Sequence, residues 1–136
     1  MLEERLPFCG VKGLLVATLR QQRASRRRQR RVRAAANDLS DLQWQQLRRQ
    51  WGGCAYCGDS SSAQALQKDC VLAISRGGAY TWRNVVPACR SCNASKCNSE
   101  VTSWMRRKRL SEPDFLERWA QNLKRMESEC ERDPQL

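Results

Sequence analysis

Apolar positions along the chain change their spacing from helical to alternating and back, and each change marks an element. Leu39, Leu42, Trp44, Leu47 and Trp51 recur at helical spacing. Ser40 followed by Gln43 forms a capping box, with Leu39 and Trp44 placed as a hydrophobic staple, so a helix is predicted to start at Asp41. Leu42, Trp44, Leu47 and Trp51 give it an apolar side, Arg48 and Arg49 face outward, and Gly52-Gly53 ends it. Gly58 to Gln64, rich in Ser, reads as a loop. Leu66 to Leu72 predicts the first strand of a hairpin, with Asp69 and Cys70 on opposite faces or at the strand end. Arg76-Gly77-Gly78 supplies a turn in which the backbone can take positive φ. Asn84 to Ala88 predicts a second short strand, which Pro87 places at an edge or at its own end. Helical spacing returns from Asn93 to Asn98. It continues after Ser99-Glu100-Val101-Thr102 with Val101, Trp104 and Met105 on one side, and after Ser111, Pro113 and Asp114 with Phe115, Leu116, Trp119, Leu123 and Met126. The last stripe reads as core or a helix-docking face.

Charge changes the picture before residue 38. Arg20, Arg23, Arg26, Arg27, Arg28, Arg30, Arg31 and Arg33 are interleaved with Gln and Ala, without Gly or Pro, and would fold as a helix or lie extended against phosphates. The apolar run from Val11 to Leu19 is too short to cross a bilayer, so no membrane partner is expected, and Glu3 and Glu4 argue against a transit peptide. The 136 residues support one small domain with appendages: a basic arm over 1–37, a core over 38–110 and a C-terminal helix over 111–136. With 25 Lys+Arg against 14 Asp+Glu, net charge +11 and pI about 9.8, the expected partner is nucleic acid, DNA or RNA. Arg106, Arg107, Lys108 and Arg109 form a second basic patch. The plainer alternatives for the arm are a solvated linker or an address signal.

The cysteines add chemistry. Cys54-Ala-Tyr-Cys57 and Cys89-Arg-Ser-Cys92 have the spacing of two zinc knuckles closing one structural Zn2+ site. A pair of disulfides is the alternative, but nothing marks the chain as secreted, so an intracellular, reducing compartment is expected: cytoplasm, nucleoid or an organelle matrix. Cys9, Cys97 and Cys130 show no ligand spacing and read as ordinary thiols.

The order Cys54-x-x-Cys57-Gly58, Asp69-Cys70-Val71, Ser75-Arg76-Gly77-Gly78, Thr81-x-x-Asn84, Cys89-x-x-Cys92-Asn93 and Ser95-Lys96 resembles the HNH endonucleases, the zinc-stapled branch of the ββα-metal or His-Me finger nucleases. The resemblance implies an α+β fold, with a zinc-stapled ββα-metal core flanked by helices. It also implies hydrolysis of DNA phosphodiesters by a general base and a Mg2+ or Mn2+ ion. By position the ion's ligands would be Asp69 and Asn93, both hard oxygen donors. Asn84 would brace the loop and orient the base; a buried amide satisfying the loop backbone is its plainer reading. Arg76, Arg83, Arg90 and Lys96 would hold phosphates, or be solvated surface charges.

One position departs from the family. Cys70 stands where the family has histidine, and the 136 residues contain no histidine. Loss of a positioned base typically costs about 10² to 10⁴ in rate. The chain then reads as a nuclease that has lost its chemistry, a weak one recruiting another base, or one altered by design. Two functions stay open: an HNH-type DNA endonuclease of doubtful activity, and a catalytically silent DNA- or RNA-binding protein, as in a ribonucleoprotein complex.

Overall fold

A computed structural model describes residues 18–34, 38–61 and 63–136, with backbone alone at 31–34 and 63. Cys9 and most of the run from Val11 to Leu19 lie outside the described residues, as do the side chains of Arg31 and Arg33. The elements are α1 (Leu19–Ala34), α2 (Asp41–Trp51), β1 (Gln67–Cys70), β2 (Val85–Ala88), α3 (Arg90–Lys96), α4 (Val101–Arg107) and α5 (Glu112–Arg132), with 3₁₀ turns at Ala63–Ala65 and Ile74–Arg76. The strands form one antiparallel hairpin, Gln67 opposite Ala88 and Cys70 opposite Val85.

α2 begins where its capping residues place it. The Gln43 backbone N–H donates to Ser40 Oγ at 3.1 Å, and the Ser40 N–H donates to Gln43 Oε1 at 3.0 Å. Gly52, at φ 67°, closes the other end in the left-handed conformation. The buried stripe, however, is Gln43, Leu47 and Trp51, whereas Leu42 is 46% exposed. The amide of Gln43 is drawn inward because it also donates to the Leu136 carbonyl, and Leu42 is thereby turned to solvent.

The core is aromatic. Phe115 of α5 lies 6.0 Å from Trp51, 5.2 Å from Tyr56 and 5.9 Å from Trp119, and Tyr56 meets Trp104 edge-on at 5.1 Å. Such ring pairs add about 0.5 to 1.5 kcal/mol each beyond the area they bury. α5 clamps the end of α2 through Arg118, which stacks over Trp51 at 4.9 Å and donates to its carbonyl at 3.0 Å. α4 is capped by Glu100, whose carboxylate accepts from the N–H groups of Thr102 and Ser103 at 3.0 and 2.8 Å. The Ser103 side chain, together with these N–H groups, holds the Glu100 pKa down to about 2.

The loop between the strands is closed by one side chain. Asn84 Oδ1 accepts from the Leu72 N–H at 2.9 Å, and its Nδ2 donates to the carbonyls of Leu72 at 2.9 Å and Ala79 at 3.0 Å. Gly78 lies so close that a Cβ there would stand 1.8 Å from the Leu72 carbonyl oxygen. Gly77 has open space but a φ of 94°. Gly78→Ala is therefore expected to cost about 3 kcal/mol or more in urea unfolding, against about 1 to 2 kcal/mol for Gly77→Ala, where only backbone strain is added. Equal effects would contradict the close approach.

Candidate metal centre and nucleic-acid cleft

The two knuckles meet on one side of the hairpin. In the first, the Gly58 N–H donates to the Cys54 carbonyl at 2.9 Å, and the Cys54 N–H to the Asp59 carbonyl at 2.9 Å. A Cβ on Gly53 would stand only 2.8 Å from that Asp59 oxygen, so glycine is needed for the turn. The second knuckle is the start of α3, where the Cys92 N–H points at Cys89 Sγ at 3.4 Å. The Sγ atoms of Cys54, Cys57, Cys89 and Cys92 all lie within 4.8 Å of one another, with Cys57 and Cys89 3.9 Å apart. Tetrahedral zinc with Zn–S bonds of about 2.3 Å needs sulfurs about 3.8 Å apart, so the four residues fit a structural zinc ion. All four are free thiols, which sets aside paired disulfides among them. Hydrogen bonding from Cys92 pulls the Cys54 thiol below its usual range, and the same bond pushes the Cys92 thiol up. Cys97, expected as an ordinary thiol, is instead disulfide-bonded, and Cys130 is free.

A cleft of about 500 Å³ opens between β1, the Ile74–Arg76 turn and α3; its walls include Arg28, Asp69, Cys70, Tyr80, Arg90 and Asn93. Of the four residues expected at the catalytic position, Asp69, Cys70 and Asn93 line this cleft together, whereas Asn84 is not in its lining. Asp69 and Cys70 lie on opposite faces of β1, yet each is only 7% exposed, because both faces are covered. Cys70 packs with Ile74 and Val85. Burial pushes its thiol up to about 11.

Asp69 turns inward. Its Oδ2 accepts from the Tyr56 hydroxyl and lies 3.1 Å from Lys96 Nζ, which also donates to the Cys70 carbonyl at 2.8 Å. Desolvation holds the Asp69 carboxyl above its usual range, against the opposing pull of Lys96 and Tyr56. Lys96 is 0% exposed, which corrects its expected place among the phosphate-binding residues. An ammonium can be buried only with partners, and here a carboxylate, a carbonyl and the Tyr56 ring supply them. Asn93 donates from Nδ2 to Gln67 Oε1 at 2.8 Å. The Asn84 side chain bonds to the backbone of Leu72 and Ala79, so it braces the loop, and none of these bonds reaches Cys70. Arg76 Nε donates to the Asn98 carbonyl at 3.0 Å, tying the turn to the end of α3. Arg83 stacks over Trp82 at 4.1 Å.

The basic residues divide. Arg20, Arg23, Arg26, Arg27 and Arg30 line one groove along α1, whereas Arg28 reaches the cleft. Arg106 is joined to Glu112 at 2.7 Å; Arg107, Lys108 and Arg109 are exposed. Sequence reasoning missed Tyr56, which sits inside a knuckle, and it named Arg28 only as one of the arm's arginines, since nothing in the spacing of the arm sets it at the cleft.

A four-cysteine cluster beside an antiparallel hairpin and a helix, with Asp69, Cys70 and Asn93 lining one cleft, is an α+β arrangement of the ββα type. Residues 54–108 of this chain match the family model described as HNH endonuclease. No curated protein and no solved structure matches the chain.

Metal analysis of the purified protein is expected to find one zinc per chain, and chelation or Cys89→Ser to abolish cooperative thermal unfolding; a metal-free protein with an unchanged melt would refute the clasp. Lys96→Met is expected to lose about 3 to 5 kcal/mol in urea unfolding, most of it regained in Asp69→Asn/Lys96→Met, because the cost is that of an uncompensated buried charge.

Proposed function

We propose that the protein binds nucleic acid on an HNH scaffold whose phosphodiester hydrolysis is lost or reduced to a trace. One observation carries this reading: the position of the general base holds Cys70, a buried thiol, in a chain without histidine. A neutral thiol neither accepts a proton from water at neutral pH nor offers a hard donor.

The divalent ion that the family implies is a poor fit to the residues present. Hard cations bind best to clustered oxygen ligands. Among the described residues lining the cleft Asp69 is the one carboxylate, and Lys96 already compensates it at 3.1 Å. Mg2+ or Mn2+ at Asp69 and Asn93 would have to compete with a built-in ammonium.

Binding is supported by the arginines of α1, exposed wherever their side chains are described, and by the exposed Arg107, Lys108 and Arg109. Arginine's planar fork matches phosphate oxygens, and each phosphate contact releases counterions. No described helix is long and apolar enough to cross a membrane. Family membership favours DNA as the partner; structured RNA is the other polyanion these charges suit. A second reading, a weak endonuclease, is favoured by the retention of Asp69 and Asn93 in one cleft.

Plasmid incubated with the protein and magnesium or manganese is expected to stay intact while gel shifts show binding; robust cutting abolished by Asp69→Ala would overturn the silent reading. Replacing Arg20, Arg23, Arg27 and Arg30 by Gln should flatten the slope of log affinity against log salt by about 3 to 4 on duplex DNA. An unchanged slope would remove α1 from the interface.

A further inference from the structure

We infer that the cleft takes a phosphodiester of the bound strand directly, between Arg28 of α1 and Arg90 of α3, with no divalent ion bridging protein and phosphate. The inference rests on the nucleic-acid-binding reading and specifies how that site is used.

The charge balance of the cleft points to an anion. Asp69 is neutralised by a lysine that is itself 0% exposed and held by the Cys70 carbonyl, so this pair offers no net charge to a ligand. Cys70 adds a neutral thiol. The other charged residues lining the cleft are Arg28, Lys68 and Arg90, all positive. Lys68 is partly committed, its ammonium lying 5.6 Å over the Trp44 ring, whereas Arg28 and Arg90 are both exposed. A cation entering here would meet like charge, and a phosphate would meet two guanidinium groups able to chelate its oxygens.

Arg28 lies on a different face of α1 from the arginines that line the outer groove. At 3.6 residues per turn it lies well round the helix from Arg23, Arg26 and Arg30, which share the groove on the far side. α1 packs on the Ile74–Arg76 turn, and Arg28 sits near enough to Cys70 for its charge to act on the thiol. The helix therefore forms one rim of the cleft. One strand can pass between α1 and α3 while the outer stripe is left free for a second row of phosphates.

The test is fluorescence anisotropy of the full-length, zinc-loaded protein with a labelled DNA duplex and a labelled RNA hairpin, with and without millimolar magnesium at fixed ionic strength. Affinity is expected to be indifferent to magnesium. Arg28→Ala and Arg90→Ala should each weaken binding about tenfold, the loss of one charge-assisted phosphate contact. Arg125→Ala on α5, exposed and outside both the cleft and the basic patches, removes the same charge and should have a clearly smaller effect; Arg28→Lys, which keeps charge but not the fork, should fall between. Binding that tightens with magnesium, or that falls equally for Arg28→Ala and Arg125→Ala, would overturn the direct phosphate contact while leaving nucleic-acid binding in place. If neither probe binds the unaltered protein, the proposed function itself fails.

Discussion

Four sulfurs held within 4.8 Å of one another are the constraint on which the rest of the structure depends. The hairpin they clasp has strands of only four residues, Gln67–Cys70 and Val85–Ala88, and a two-stranded ribbon is marginal in water by itself. The knuckles attach it to its surroundings. Ala55 in the first donates to the Pro87 carbonyl at 2.8 Å, and Cys89 in the second begins α3 directly after β2. Pro87 has no N–H to give, yet its carbonyl is where the metal loop is stitched to the strand. The aromatic cluster around Phe115 then packs against the same loop through Tyr56, so core and clasp share one residue.

That shared residue leads to the cleft. A buried carboxylate, a buried ammonium and a phenol form a closed polar group beneath it, each partner making the burial of the others tolerable. In a nuclease of this family the same aspartate would be asked to hold a metal ion. Here the protein carries its own cation in Lys96, and the buried Cys70 thiol adds no charge beside it. The neutral thiol and the internally compensated carboxylate point the same way, although they arise at different residues.

Much of this was legible in the sequence because it depends on local rules. The capping box at Ser40 and Gln43, the stop at Gly52, the knuckle spacing and the glycine turn are written in neighbouring residues, and each appears as expected. What was hidden depends on which way a side chain turns. Lys96 looks in sequence like any lysine at the end of a basic helix, and only the closure of α3 over β1 shows that it is the most buried side chain of the site. Leu42 and Gln43 exchange their expected roles because the C-terminal Leu136 carbonyl, remote in sequence, claims the amide. Arg28 differs from the arginines of the outer groove in the face it occupies, and which face meets the cleft is decided by the docking of α1 on the Ile74–Arg76 turn, not by the composition of the arm.

The position of Tyr56 has a mechanical consequence. Because it lies between Cys54 and Cys57 and its hydroxyl also holds Asp69, the sulfur cluster and the cleft share one side chain, and any shift of the first knuckle would carry the phenol with it and disturb the aspartate's hidden charge balance.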